Sequence, residues 1–351
     1  MLKYKIERVP APVWLRTLIP LIAILITFII TSLLILAAGA NPLKAYYYFL
    51  IAPLSSRVSA LETLVKATPL LLTGAAVTFA FAAGYFNIGA EGQLYAGAIA
   101  AAGLGPILGG VAPVFAITIM LAAGFVAGVA WAFIPAILKV KLAVDEVVTT
   151  LLMNSIIMFL VSYVLNGPWR DPVSGWPQSA PLAATAVMPK LVERSRLHLG
   201  FIIGLVAIVV IWFILSRTSL GLRMRASGLG QDAARFMGVN INRTMLTAAL
   251  VSGGIAGLAG VSEVAGIHFH LIDAISPGYG YTGIIAATLG GLNPFGVGLA
   301  ATFLGLLDTG AQSVSRALGV PVYLGNVVQS TLLLVTLGMF VLQNYRLRRV
   351  A

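Results

Sequence analysis

From its N-terminus onward the chain is a succession of apolar runs separated by short polar connections. Runs of spanning or near-spanning length fall at about 13–38, 67–85, 88–108, 112–138, 147–166, 199–216, 244–266, 280–291, 295–309 and 325–343. A hydrocarbon core needs roughly 20 apolar residues in a helix, so most of these predict transmembrane helices. The expected fold class is all-α, a polytopic membrane protein with about ten transmembrane or part-spanning helices. The eighth and ninth runs are too short to cross alone, and the turn signal Gly290-Gly291-Leu292-Asn293-Pro294 lies between them. Irregular backbone at membrane depth persists only where protein or a watery cavity covers it, so this pair predicts a broken or re-entrant element.

The polar connections suggest one transmembrane domain over 1–351. Its parts are an N-terminal helix and external segment (1–66), a first half-repeat (67–166), an external loop (167–198), a cytoplasmic loop (216–243) and a second half-repeat (244–343). The external loop is rich in Pro, Trp and Ser, beginning Gly167-Pro168-Trp169-Arg170-Asp171-Pro172. With the N-terminus inside, 14 of the 22 Lys and Arg fall in cytoplasmic connections, and that bias puts both termini in the cytoplasm. Lys3, Lys5, Arg8 and Arg16 followed by the apolar run Leu18–Ala38 have the outline of a signal peptide. The run exceeds the roughly 7–15 residues of a signal core and predicts a retained first helix. Runs two to five begin outside and runs seven to ten inside. Each set carries a Gly-rich, polar-interrupted stretch near its start, Gly84–Gln93 and Ser276–Gly283. Opposed halves with matching interruptions suggest an inverted repeat.

Composition agrees with the pattern. The chain is 59% hydrophobic and 9% charged, with a mean hydropathy of +0.99, where soluble domains carry about 25% charged residues. Its net charge of +11 resembles that of a polyanion binder, but the cations sit between apolar runs, which argues for membrane orientation and against nucleic acid. The absence of cysteine excludes disulfides and thiolate sites, and a total of three histidines argues against an all-His metal site.

Candidate chemistry concentrates in a few polar positions inside the apolar runs. Asn87, Glu91 and Tyr95 are spaced i, i+4, i+8, which on one helix would share a face, with Gln93 beside them. A carboxylate at helix centre costs about 2.5–3.5 kcal/mol on insertion scales and is rarely left facing lipid. Glu91 therefore either lines a solute path or caps and pairs at the cytoplasmic end of its helix. Glu146, Thr150 and Asn154 repeat the spacing; Asn154 is expected to bond a neighbouring helix, with substrate contact the alternative. Asn326 and Gln329 are further candidates for a polar translocation path. Gly124-x-x-x-Gly128 and Gly253-x-x-x-Gly257 are close-packing signatures. In the cytoplasmic loop, Asp232-Ala233-Ala234-Arg235-Phe236-Met237-Gly238 predicts a short helix opened by an acid and ended by glycine. It presents Phe236 and Met237 from a basic loop, as a docking helix would; a helix lying on anionic lipid is the alternative.

Asp232-Ala233-Ala234 followed by Gly238 resembles the EAA loop of ABC-importer permeases, with Asp in place of the usual Glu. Phe86-Asn87-Ile88-Gly89-Ala90-Glu91-Gly92-Gln93, Asp145-Glu146-Val147-Val148-Thr149-Thr150-Leu151-Leu152-Met153-Asn154 and Gly290–Pro294 extend the likeness nearly end to end. Together they resemble the branched-chain amino acid and simple-sugar permease superfamily, and most closely the longer permease of its nucleoside-importer branch. The resemblance implies a permease subunit in the cytoplasmic (inner) membrane, importing a nucleoside or related sugar delivered by an external substrate-binding lipoprotein. It implies a second, shorter permease and a separate ABC ATPase that holds ATP and Mg, with no cofactor in this chain. The chain has no Gly-x-x-x-x-Gly-Lys-Ser/Thr loop with which to hydrolyse ATP. An intramembrane enzyme built on Glu263, His268, His270 and Asp273 is a weaker reading, since His268 and His270 are two apart and no His-Glu-x-x-His run exists. An ion-coupled carrier would use Glu91 equally well, but has no need of a docking helix.

Overall fold

The computed structural model describes residues 3–8, 12–171 and 174–350. Pro172, named above in the external loop, lies outside the described residues. So do the side chains of Lys3, Lys5, Arg8, Arg16, Arg346, Arg348 and Arg349. In chain order the helices are α1 (Val13–Ala37), α2 (Pro42–Tyr46), α3 (Arg57–Ala82), α4 (Ala90–Leu104), α5 (Pro113–Leu142) and α6 (Glu146–Asn166). They continue as α7 (Gly200–Arg217), α8 (Ser219–Leu229), α9 (Gln231–Phe236), α10 (Ile241–Glu263), α11 (Tyr279–Leu289), α12 (Pro294–Leu318) and α13 (Leu324–Asn344).

Short polar side chains set many of the starts by accepting the orphan N–H groups of a first turn. Asp145 caps α6 through Val147 and Val148, Thr218 caps α8 through Gly221, and Asn240 caps α10 through Arg243. At its far end α5 stops in a left-handed residue, Ala143.

Among the described residues seven helices are long and apolar enough to cross a membrane, and Leu324–Met339 is a shorter apolar stretch. All ten apolar runs are helical, with three departures. The ninth is not short: α12 spans 25 residues, because Asp308, Gln312 and Ser313 interrupt its apolar pattern without interrupting the helix. In the third, α4 has only 15 residues before a 3₁₀ turn over Gly105–Leu108. The loop over 216–243 is helical in its first half as well as its second, as α8. The eighth, α11, is 11 residues long, a rise of roughly 16 Å, and is part-spanning as expected.

The described chain divides into two compact units. One comprises Ala60–Gly305. Its centre is α3, α4 and α10, whose side chains are largely buried, while α5, α6 and α7 turn large apolar residues such as Val126, Phe159 and Phe213 outward. An apolar exterior around a small-residue centre is what lipid as solvent favours. The two Gly-x-x-x-Gly motifs face each other: a Cβ on Gly128 would overlap the Gly253 carbonyl, and one on Gly257 the Gly124 carbonyl. On the other side of α10, Gly260 lies against the Leu94 carbonyl of α4. The loop over 167–198 is pinned to the segment after α10, where Ser179 N donates to Leu271 O (3.0 Å) and Leu271 N to Ser179 Oγ (2.9 Å).

The other unit comprises Met1–Ser59 and Leu306–Ala351. Its α1 and α2 join where the Tyr46 hydroxyl meets those of Thr31 and Ser32 (3.0 and 3.1 Å). The strand β1 (Lys3–Arg8) pairs antiparallel with β2 (Tyr345–Val350), a ribbon between the two ends of the chain that the apolar pattern did not predict.

Candidate functional site

Two short helices, α4 and α11, meet N-terminus to N-terminus inside the Ala60–Gly305 unit. Each follows an irregular stretch: Ala83–Gly89, with Gly84 left-handed, and Phe269–Gly278, with Gly278 left-handed. Gly280 packs so closely that a Cβ there would overlap the Ala90–Glu91 backbone. Glu91, in the first turn of α4, accepts the N–H of Gly280 in the first turn of α11 (Oε2 at 2.6 Å). One carboxylate thus lies at the N-termini of two helices, where the partial positive charge of both backbones favours it.

A saturated amide network surrounds this meeting point. The Asn87 amide nitrogen donates to Gln93 Oε1 (2.9 Å) and Ser252 Oγ (2.9 Å), and its oxygen accepts from Gly89 N (2.9 Å) and Gln93 Nε2 (3.1 Å). The Ser252 hydroxyl in turn donates to the Ala76 carbonyl of α3 (2.7 Å). Asn154 Oδ1 accepts Gly92 N (2.9 Å), while Nδ2 donates to Ile88 O (3.0 Å) and to the Tyr281 hydroxyl (3.1 Å). Tyr95 donates to the Asp273 carbonyl at 3.2 Å. Both polar atoms of the Asn87 side chain are used, and Asn87, Glu91, Gln93 and Asn154 are buried. In this conformation these side chains hold broken helices together.

One geometric expectation is corrected. Asn87 lies in the loop before α4, so it shares no helical face with Glu91 and Tyr95. The spacing on α6 does hold, with Glu146, Thr150 and Asn154 buried on one face. Glu146 pairs with Lys139 of α5 (2.6 Å) and reaches Phe86 N (3.4 Å) at the loop. Asn326 and Gln329 are on α13, in the other unit; Asn326 is exposed and Gln329 buried. Ser252, Ser276, Gly280 and Tyr281 carry bonds that the sequence reading did not assign, although Ser276–Gly283 stood out as a polar interruption.

At the C-terminal end of α10 lie Glu263, His268, His270 and Asp273, the residues of the intramembrane-enzyme reading. His268 Nε2 is 3.9 Å from the buried Glu263 carboxylate, and among the described residues no three His, Asp or Glu side chains converge as a metal cage. Near the C-terminal end of α4, Gly103, Pro106, Trp169, Arg170 and Ser179 line an open cleft of ≈ 250 Å³.

The loop helix α9 forms the second candidate region. Gly230 opens it and Gly238, left-handed at φ +83°, ends it. Ala234 is buried against Ile241 and Met245, with Val140, Ala226 and Val239 packed around them. That anchor turns the rest of α9 outward: Phe236 is 94% exposed and Met237 68%. Asp232, Ala233 and Arg235 are also exposed, with Arg235 3.9 Å from Asp232. Between α8 and α9, Leu222, Arg225, Ala226, Leu229, Ala233 and Met237 line an open groove of ≈ 520 Å³. Exposed aromatic and thioether side chains beside an apolar groove form a patch suited to another protein surface.

The family described as branched-chain amino acid transport system / permease component matches residues 59–337. The guanosine ABC transporter permease protein NupP of Bacillus subtilis is 35% identical over 95% of this chain and 95% of its own. The glucose ABC transporter permease protein TsgB13 of Haloferax volcanii is 33% identical, covering 95% of this chain and 90% of its own. The nucleoside ABC transporter permease protein NupB of Lactococcus lactis subsp. cremoris is 31% identical over 93% of this chain and 92% of its own. No solved structure matches. Buried broken helices, a small-residue seam, an outward-facing loop helix and these relatives agree: the chain is an ABC transporter permease subunit and belongs to the branched-chain amino acid transport system / permease component family.

Proposed function

We propose that this permease imports a nucleoside, delivered by an external binding protein and driven by a separate ATPase that holds ATP and Mg. The observation that carries the ATPase reading is α9, anchored through Ala234 and presenting Phe236 and Met237 beside an apolar groove. A helix fixed on one face and exposed on the other converts movement of a docked partner into movement of the permease. Pairing of β1 with β2 supports a topology with both chain ends on one side of the membrane, and the Lys and Arg bias favours the cytoplasmic side. The cleft around Trp169 and Arg170 is then external and suits the binding protein. Asn87, Glu91, Gln93, Tyr95, Glu146 and Asn154 form the closed gate of the path, and opening it exposes their amides to solute hydroxyls and base edges. Guanosine and nucleoside permeases among the relatives favour a nucleoside, and the glucose permease makes a sugar the competing solute.

The test is ATP hydrolysis by the chain reconstituted with its ATPase, a second, shorter permease and the receptor, with guanosine, ribose or glucose loaded. Stimulation by guanosine and not by ribose or glucose is expected. Stimulation by glucose alone transfers the assignment to sugars. An assembled complex whose hydrolysis responds to no solute favours an ion-coupled carrier.

A further inference from the structure

We infer that Gly84 and Gly228 form the joint through which α9 acts on the broken-helix network, and that Gly228 is a positioning residue for transport. The inference rests on the ATPase-driven reading and names where force would enter the gate.

The route is continuous. α9 and α8 share a groove, and Ala226 of α8 packs on the cluster that anchors Ala234, so the two helices move as a pair. Gly228 lies in the last turn of α8. A Cβ there would come within 2.5 Å of the Ala82 carbonyl oxygen and 3.3 Å of Gly84 N, and a Cβ on Gly84 within 3.3 Å of the Gly228 Cα. This is backbone against backbone. No side chain stands between to absorb a displacement by changing rotamer, and a close-packed contact transmits it. Gly84 is also left-handed at φ +77°, a conformation that resists a side chain. Beyond Gly84 the loop leads directly into the network: Phe86 N reaches Glu146, Asn87 holds Gln93 and Ser252, and Ile88 O accepts from Asn154. Asn154 also holds Tyr281 of α11, while Glu91 holds Gly280. Movement of α8 therefore reaches the junction of α4 and α11 without passing through a flexible segment.

The test uses the complete transporter, with permease, partner permease, ATPase and receptor in proteoliposomes. Gly228→Ala should hold hydrolysis within about twofold of the unmutated complex while uptake of the stimulating solute, guanosine or glucose, falls at least tenfold. A merely structural defect would lower both together. Gly110→Ala, far from α8 and α9 in sequence, is the control, since a Cβ there meets nothing within 4 Å, and it should leave uptake per ATP unchanged. Uptake per ATP unaltered in Gly228→Ala overturns the joint. Should that variant fail to assemble, the cysteine-free chain allows a second measurement with Phe86→Cys, a half-exposed loop position. Trapping the ATPase with ATP and vanadate should change its maleimide labelling rate at least fivefold; an unchanged rate overturns the proposal. Failure of the unmutated complex to hydrolyse ATP would instead remove the ATPase-driven reading on which the joint rests.

Discussion

A buried carboxylate in a membrane protein needs an account, and Glu91 receives one from two backbones at once. Its oxygen takes the Gly280 N–H at 2.6 Å, and its own helix begins one residue earlier. Glu91→Ala should strand that N–H; an unsatisfied buried donor costs about 1–3 kcal/mol, and each lost helix-end interaction about 0.3–1 kcal/mol more. Glu91→Gln keeps an acceptor but loses the charge, and should fall between wild type and Ala in a detergent thermal-unfolding series. Equal unfolding temperatures for Ala and wild type would deny the carboxylate its structural role. Spacing of i, i+4, i+8 is a property of helices only, and nothing in that spacing says where a helix starts. Asn87 is spent on the loop instead, folding its side chain back to the N–H of Gly89, a local bond that Asn makes in turns. An Asn two residues before a Gly was the available signal.

Elements in this chain are held by what small residues permit and by a few ion pairs. Where α5 and α10 cross, Gly128 and Gly253 leave room only for backbone. Gly128→Leu should force the helices apart and cut the yield of folded protein from membranes severalfold, since overpacking of a tight core costs about 1–3 kcal/mol or more. Gly110→Leu, where a Cβ meets nothing within 4 Å, is the control and should accumulate normally. Equal yields would mean that the seam is looser than its backbone contacts. Lys139 and Glu146 tie the end of α5 to the start of α6, with Glu146 largely buried and Lys139 partly exposed. A double-mutant cycle with Lys139→Met and Glu146→Gln should return a coupling of about 0.5–2 kcal/mol, between the ranges for exposed and buried pairs. No measurable coupling would mark the pair as a surface contact. Legibility at this scale depended on pattern purity: α1, α5, α6 and α7 read cleanly because lipid faces keep them apolar. α12 read short because Asp308, Gln312 and Ser313 sit in its second half, and hydropathy penalises polar residues whether or not a neighbour covers them.

At the scale of the whole molecule, what was legible was what lies close in sequence. The loop helix and its exposed Phe236 and Met237 follow from nine consecutive residues, Gly230–Gly238. The meeting of Glu91 with Gly280 and the ribbon of Lys3–Arg8 with Tyr345–Val350 join residues far apart, and no local pattern encodes them. The same locality makes α9 the most separable part of the protein to test. Phe236 and Met237 project outward, whereas Ala234 carries the anchor. Removing Phe236 and Met237 together by alanine should therefore leave the unfolding temperature of the isolated permease unchanged. Recovery of the ATPase with the solubilised permease should fall at least tenfold, because exposed aromatic anchors dominate binding between proteins. Ala234→Asp, by contrast, buries a charge against Ile241 and Met245 and should lower both stability and recovery. If the double alanine variant recovers the ATPase normally but loses binding to anionic vesicles, α9 is a membrane-surface helix and the motor docks elsewhere.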